Sequence, residues 1–509
     1  MKKGTLTERQ VIDIFEIIKQ KASDKMQSGH LEQSICYIEV AAQWAYNYNF
    51  KYVDEDLEFL LQNISCSIKE RLLQDRFTVN NGEERIVLVC NRTINGGEVT
   101  QQYSKALAKV GVPVLIIVLN RIVQINGVRI GSIEIPAYLQ DKENITIKII
   151  EESRSLMDTT EEVAREIRNF NPTKILTHVW PWDARLIIAV MAAKQCPCYN
   201  INFNDHTFWI GKSMLDYLIE FRPYGASVSV DRRGVKLSQL LYLPYYPIIS
   251  DDIPFQGFPF DRTGKVVIFT GGTEYKMLDE ENLFFDIMDK VLDDNPNSIV
   301  FLASTSLREI KKRILRMKNG ERVYTSKYRK DISQLFRNCD IYYGTYPLSG
   351  GLMCQYAAAF GKPILAYAKK RVELDEVDGI VNYHNEAPIA KNDLDTLFAY
   401  AKELCNDPLY RKSEGQRLRC AVINSQEFDK KLNDLLTGNY ESKQMLPLDI
   451  AYDNIKEFYF NYANNYCNGY LSLLLKTFKF RSFIYFPRYS VLFVMRLLDF
   501  FIYKLKAFF

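Results

Sequence analysis

Little in this chain commits it to metal or thiol chemistry. There are only four histidines, His30, His178, His206 and His384. The ten cysteines are scattered, with only Cys196 and Cys198 close together, and no zinc spacing results. Dispersed thiols in a long chain fit a reducing compartment. An excess of charge is missing too: 65 basic against 62 acidic residues leave +3, which argues against nucleic-acid binding. The N-terminus, Met1-Lys2-Lys3-Gly4-Thr5, leads into a polar helix instead of an apolar signal core, so the expected location is cytoplasmic. No repeat period is sustained. An Asp-x-Asp triplet at a strand end, suited to a divalent cation, is also lacking, because Asp54-Glu55-Asp56 and Asp393-Leu394-Asp395 fall in helical stretches. Neither a metal nor another cofactor is therefore expected.

What is present suffices for several cores. The chain has 509 residues, 47% hydrophobic and 25% charged, and the length suggests about three domains. Abundant Ile, Lys, Asn and Tyr point to an AT-rich, bacterial source. Residues 1–82 read as a helical N-terminal region, with Ile12, Ile14, Phe15, Ile17 and Ile18 on one apolar face. In residues 83–247 short apolar runs such as Arg85–Cys90, Val112–Leu119, Thr146–Ile150, Lys174–His178 and Tyr199–Phe203 alternate with helical stretches, and Asn126-Gly127 turns a hairpin. That alternation predicts a doubly wound, Rossmann-like α/β domain. Residues 248–264, rich in proline and aromatics, read as a linker. A second α/β series occupies 265–440, with strands at Val266–Thr270, Ser298–Ala303, Arg322–Thr325, Asp340–Tyr343 and Pro363–Tyr367.

Residues 441–509 read as C-terminal helices. From Tyr470 onward seven basic residues, Lys476, Lys479, Arg481, Arg488, Arg496, Lys504 and Lys506, face a single acid, Asp499, with aromatics interleaved. The longest uncharged run, Tyr489–Met495, is too short to span a bilayer, which takes ~20 residues. One reading is an amphipathic tail on the anionic inner face of the cell membrane. The other is a helix packed back across the protein, with its lysines in water. The membrane reading is the expectation.

Two segments have the make-up of a phosphate site. Asp340-Ile341-Tyr342-Tyr343-Gly344-Thr345-Tyr346-Pro347-Leu348-Ser349-Gly350-Gly351 runs from a strand through paired glycines into a helix that begins near Leu352. Such a helix start offers free N–H groups and the positive end of a dipole to an anion. Thr270-Gly271-Gly272-Thr273-Glu274-Tyr275-Lys276 closes the first strand of the second domain, and its lysine suits a departing diphosphate. Each alone is compatible with a plain βα turn.

In this order the two segments resemble the donor-site signature of GT-B fold glycosyltransferases, in particular the O-GlcNAc-transferase-like branch. That branch has Asp-Thr-x-Pro where this chain has Gly344-Thr345-Tyr346-Pro347, and a Tyr-Lys pair where it has Tyr275-Lys276. The resemblance implies two Rossmann-like domains facing across a cleft, with a nucleotide-sugar, a UDP-sugar by default, on the second. It assigns the donor to Gly271, Gly272, Thr273, Tyr275, Thr345, Pro347, Ser349, Gly350, Gly351 and Leu352, with Lys276 on its phosphates. Tyr324 and Ser326 fall in the loop region that contacts the base. Glu373 and Asp375 follow the next strand, where some families bind ribose. Many retaining members carry a glutamate near the position of Gln355, so its absence, with a histidine available as base, implies an inverting transfer, and Lys276 with a helix end in place of a metal implies a metal-independent one.

The string Asn202-Phe203-Asn204-Asp205-His206-Thr207-Phe208-Trp209-Ile210-Gly211 is similar to a pattern of bacterial surface-polysaccharide glycosyltransferases, with Phe203 in place of its first histidine. Glu220-Phe221-Arg222-Pro223-Tyr224-Gly225-Ala226 and Asp231-Arg232-Arg233-Gly234 fit the same pattern. His206 is the candidate base for the acceptor hydroxyl, with Asp205 orienting or replacing it. It also reads as a residue that shapes a loop. Gly96, Gly97, His178 and Trp180 are candidate acceptor-side residues, Trp180 either stacking on a sugar or forming a structural corner. Arg222, Arg232 and Arg233 face either acceptor phosphates or solvent. The expected acceptor is a glycan or a lipid-linked glycan. Two other functions remain open: a non-catalytic partner subunit of the same fold, and polyol-phosphate transfer of the teichoic-acid type from a cytidine donor.

Overall fold

Three helices open the computed structural model, α1 (Glu8–Gln27), α2 (Leu31–Tyr48) and α3 (Glu55–Leu72). Residues 6–498 are described, apart from 74–81, 92–93, 95–96, 121–122, 126–127, 131–132, 152–154, 251, 280, 370–376, 385–386, 441–449, 451, 467–469 and 496. Helix α1 starts at a reciprocal cap between Thr7 and Gln10, and α3 starts where the Asp54 carboxylate accepts from the Leu57 N–H at 3.0 Å. Asp393 caps a later helix in the same way, so both Asp-x-Asp triplets are helix starts. Helix α2 ends on Asn49 in the left-handed region, φ 49°, which asparagine tolerates better than most residues.

The strands and helices that follow are β1 (Ile86–Asn91), α4 (Glu98–Leu107), β2 (Val114–Asn120), β3 (Val123–Ile125), β4 (Val128–Ile130), β5 (Ile145–Glu151), α5 (Leu156–Phe170), β6 (Lys174–His178), α6 (Ala184–Ala193), β7 (Cys198–Ile201), β8 (Tyr217–Glu220), α7 (Pro223–Arg233) and β9 (Leu240–Tyr242). They build a seven-stranded sheet in the order β5-β2-β1-β6-β7-β8-β9, with β3 and β4 as a separate antiparallel hairpin. Strands β1 and β2 are buried along their whole length, as apolar runs covered on both faces should be.

The second sheet is built from β10 (Val266–Gly272), α8 (Leu283–Asp294), β11 (Ser298–Ser304), α9 (Arg308–Ile314), β12 (Val323–Lys327), α10 (Ile332–Asn338), β13 (Ile341–Tyr343), α11 (Gly351–Ala359) and β14 (Ile364–Leu365). Its order is β12-β11-β10-β13-β14, all parallel. After it come α12 (Asp378–Val381), α13 (Leu394–Asn406), α14 (Pro408–Ala421), α15 (Ser425–Thr437), α16 (Tyr452–Tyr466), α17 (Leu471–Phe478) and α18 (Arg481–Tyr485). The two doubly wound α/β layers match the expected fold class.

The chain divides into two compact units, Met1–Glu220 with Gly225–Leu241 and Tyr452–Phe509, and Phe221–Tyr224 with Tyr242–Ala451. These boundaries differ from the expected segments in three places. First, the N-terminal helices share one apolar core with the first sheet, in which Val11, Ile38 and Leu61 join Val87, Ile175 and Leu186. Second, the expected linker at 248–264 belongs to the second unit. Phe258 and Phe260 lie 5.4 and 6.1 Å from the Phe301 ring, and the buried Arg329–Asp331 pair holds the Gly257 carbonyl and the Gln256 N–H. Third, the C-terminal aromatics are not a free tail. Leu474, Phe478, Phe486, Tyr489 and Phe493 are buried in the first unit's core, and the Phe478 ring sits 5.1 Å from that of Tyr37.

Truncating such a packed ring is costly. Phe478→Ala should lower unfolding stability by about 3–5 kcal/mol, as buried Phe→Ala changes do, read from the urea midpoint. An unchanged midpoint would return these residues to the status of a detached tail.

Candidate functional site

In the second unit the ends of β10 and β13 bring the two expected phosphate segments together. The Lys276 ammonium lies 3.5 Å from the Ser349 carbonyl, and a Cβ on Gly272 would stand 3.7 Å from Thr345 Cγ2 and 3.9 Å from Lys276 Cδ. Thr345 donates its hydroxyl to the Leu348 carbonyl at 2.7 Å, shaping the turn that carries the cis Tyr346–Pro347 bond into Gly350, the N-cap of α11. Parallel register puts Gly271, Ala303 and Ser326 in one row, and Gly272, Ser304 and Lys327 in the next, at the C-terminal edge of the sheet. Ligands of open α/β sheets bind at that edge. There the hydroxyls of Thr270, Thr273 and Ser304 are buried without a hydrogen-bond partner among the described residues. Unsatisfied buried hydroxyls are costly, and a polar ligand offers them a partner. The sequence reading missed Thr270 and Ser304, which only the strand register identifies.

Several other donor-side candidates have structural surroundings of their own. Gly271 is demanded by the sheet, since a Cβ there would sit 3.0 Å from the Ala303 carbonyl. The Tyr324 ring packs 4.6 Å from Phe260, and Leu352 leans on the second unit's core. Tyr275 and Pro347 are half-buried beside the row. Gly351 opens α11. Gln355 is 1% exposed and donates to the Tyr245 carbonyl at 2.6 Å and the Ile380 carbonyl at 3.4 Å. Glu373 and Asp375 lie outside the described residues.

In the first unit the C-terminal edge of the sheet holds His178 at the end of β6, Asp205 and His206 after β7, and Glu220 at the end of β8. His206 presents Nδ1 to Asp205 Oδ1 at 2.8 Å and stacks 5.7 Å from Tyr459. Asp205 engages Nδ1 and thereby leaves Nε2 as the ring nitrogen turned away from the carboxylate. Asp205 is 1% exposed, and its loop is held from outside. Asn49 donates to the His206 carbonyl at 2.9 Å, and Arg233 donates to the carbonyls of Asp205 and Thr207 at 2.9 and 2.7 Å. Arg233 and Arg222 are buried, facing neither solvent nor an open surface, whereas Arg232 is exposed and lies over the Tyr452 ring.

Glu220 opens the Glu220–Ala226 segment that fits the surface-polysaccharide pattern, but no role was assigned to it from sequence. It is fully buried, and Oε1 accepts from Asn202 at 2.9 Å and from Ser229 at 2.6 Å, while Oε2 has no hydrogen-bond partner among the described residues. Burial first, then the negative Asp205, push its carboxyl up to about 7. Gly225 makes the pairing possible, because a Cβ there would stand 2.3 Å from Glu220 Oε2 and 3.0 Å from Asp205 Oδ2.

The remaining acceptor-side candidates are placed by the fold as follows. His178 is 4% exposed, bonded through Nδ1 to the Thr100 hydroxyl at 2.7 Å and stacked on Phe203, and burial pulls its imidazole down to about 4, so it stays neutral. Trp180 is half-buried, fixed by its N–H to Asn91 Oδ1 at 2.6 Å, with its ring 6.1 Å from Trp182. Gly97 caps α4 in an extended conformation, and Gly96 lies outside the described residues.

No family model and no curated protein matches this chain. Among solved structures, a mutant of the Thermobaculum terrenum O-GlcNAc transferase aligns over 87% of this chain and 82% of its own, with a TM-score of 0.52 and 14% identity. A glycosyltransferase from Rickettsia africae ESF-5 aligns over 70% of this chain and 100% of its own, with a TM-score of 0.48 and 12% identity. The first likeness identifies the fold as the GT-B type that the sequence motifs resemble.

Glu220 gives the fold a pH dependence. Its carboxyl holds a proton in the native state up to about pH 7, whereas its reference value is 4.5. Between those values the native state keeps a proton the unfolded chain has released, so stability falls as pH rises through that window. Glu220→Gln, neutral throughout, should flatten this fall. Urea midpoints at about pH 5 and about pH 8 check it, and an equal drop in both proteins would assign the effect elsewhere.

Proposed function

We propose that this chain is a glycosyltransferase that moves a sugar from a nucleoside-diphosphate donor to a hydroxyl of a glycan or lipid-linked glycan in surface-polysaccharide synthesis. The observation that carries the reading is the polar edge of the second sheet. One lysine, one helix start and three buried, unpartnered hydroxyls meet where the two donor-type motifs converge. Such a set suits a diphosphate, which brings negative charge and acceptor oxygens. The resemblance of the motifs makes a UDP-sugar the donor to test first.

In this reading the acceptor hydroxyl attacks the anomeric carbon as the bond to the diphosphate breaks. His206 Nε2 takes the hydroxyl proton, and Asp205 stabilises the imidazolium that forms. The electron pair leaves on the diphosphate oxygen, whose charge Lys276 and the start of α11 offset. No divalent cation is needed for that step, and a chelator should leave the rate unchanged. Direct attack with one base inverts the anomeric centre.

Calorimetric titration with UDP, GDP and CDP tests the donor half. One nucleotide should bind, and Lys276→Ala should weaken it about 10- to 100-fold, the worth of a hydrogen bond to a charged group, with an unchanged melting midpoint. Preference for CDP would favour polyol-phosphate transfer, and no binding at all would favour a non-catalytic subunit. For the acceptor half, His206→Gln should lower kcat by about 10²- to 10⁴-fold and leave nucleotide affinity alone. NMR of the product anomer should show inversion, and retention would overturn the single-base mechanism.

A further inference from the structure

Exposed large apolar side chains are unevenly spread over the described residues. Phe480, Ile484, Val491, Val494, Leu497 and Leu498 crowd into the last stretch of the first unit, the first three at 79%, 67% and 72% exposure. The same stretch has an inner side, since Phe478, Phe486, Tyr489 and Phe493 are buried. Helical spacing separates the two sides. Phe480 and Ile484 are four apart, and Val491, Val494 and Leu498 follow at three and four, while the buried rings fall between them. The segment is thus apolar on both sides, with one side already used by the core.

The outer side is also basic. Lys476, Lys479, Arg481 and Arg488 are exposed along it, and residues 470–498 contain no Asp or Glu. On the inner side, α1 faces the segment with Asp13 near Tyr489 and Lys21 3.8 Å over the Tyr485 ring. Among the described residues no helix is long and apolar enough to cross a membrane.

We infer that this outer face docks flat on an anionic lipid bilayer, Phe480, Ile484 and Val491 entering the headgroup–acyl boundary and the four cations meeting lipid phosphates. Charge decides the occupant. A second copy of this chain would bring the same four cations against themselves, whereas an anionic bilayer supplies both counter-charge and an apolar layer. Because the inner aromatics belong to the core, the membrane face is rigidly attached to the first unit and not a tethered tail. The inference is independent of the transferase chemistry.

The test is sedimentation of the full chain with vesicles of phosphatidylcholine alone or mixed with phosphatidylglycerol. Binding is expected only to the mixed vesicles, weakening as salt is raised. Lys476→Gln, Lys479→Gln, Arg481→Gln and Arg488→Gln together should weaken it at least about tenfold, and Phe480→Ser with Ile484→Ser and Val491→Ser by a similar factor. Both sets change exposed positions, so the melting midpoint should hold. As a second readout, Phe480→Trp should shift its emission to the blue on the mixed vesicles. Equal binding to both vesicle types, binding to neither, or unshifted emission would overturn the inference. So would a dimer that the serine set dissolves, which would assign the face to a second copy.

Discussion

Residues 202–216 form neither helix nor strand, yet they carry Asp205 and His206, so the polar edge of the first unit depends on buried groups supplied from elsewhere. The Asn49 side chain acts as a two-way clip, donating to the His206 carbonyl and accepting from the Phe208 N–H at 3.1 Å. Glu58 accepts from the Gly211 N–H at 2.7 Å and from the Ser213 N–H and hydroxyl at 2.8 and 2.6 Å. Arg233 closes the third side through the Asp205 and Thr207 carbonyls. Buried hydrogen bonds to charged groups are worth about 1.5–3 kcal/mol each, and stripping the partners from a buried charge costs more. The N-terminal helices that bear Asn49 and Glu58 therefore build the candidate site even though none of their side chains is proposed to touch a substrate.

Glu220 and Asp205 show a second constraint, in which packing sets chemistry. Two carboxyl groups converge beside Gly225, where only a hydrogen atom fits. Burial and the neighbouring Asp205 push the Glu220 carboxyl up, while Asp205 turns Oδ1 to His206 Nδ1. Glu220 still anchors Asn202 and Ser229 through Oε1, which ties the end of β8 to the start of the loop and to α7. A single buried acid thereby serves as a strut and as a source of electrostatic asymmetry.

The parts of the fold legible in the sequence were those with an uninterrupted physical signal. Strands β1, β2, β10 and β11 are built on continuous apolar runs, and each, like the shorter-cored β6, appears within two residues of its expected bounds. Strands β8 and β9 are apolar but only four and three residues long, and they went unread. The aromatics at 255–260 looked like linker because they follow no period, yet they cover Phe301 and Tyr324. In the C-terminal segment composition revealed an apolar and basic character but not which rings face inward, a question only the tertiary core answers. Lys276 and Ser349 were each legible as donor-side candidates from two motifs in fixed order, and the structure adds that the strands leading to them, β10 and β13, are neighbours. Asn49, Glu58 and Glu220 were not, because each acts on residues distant in sequence.

The departures from the resembled donor signature also have packing reasons. Gly344 stands where the related pattern has aspartate, and a Cβ there would already lie 3.1 Å from Ala366 Cβ, so a side chain there needs Ala366 to give way slightly. Gln355 points its amide nitrogen at two backbone carbonyls. A glutamate in that position would set a buried carboxylate against those carbonyl oxygens and would have to be protonated to remain. The glutamine is thus a structural solution to the Tyr245 and Ile380 carbonyls, incompatible with an ionised acid in the same orientation. The cation beside this loop is Lys276, whose ammonium lies 3.5 Å from the Ser349 carbonyl.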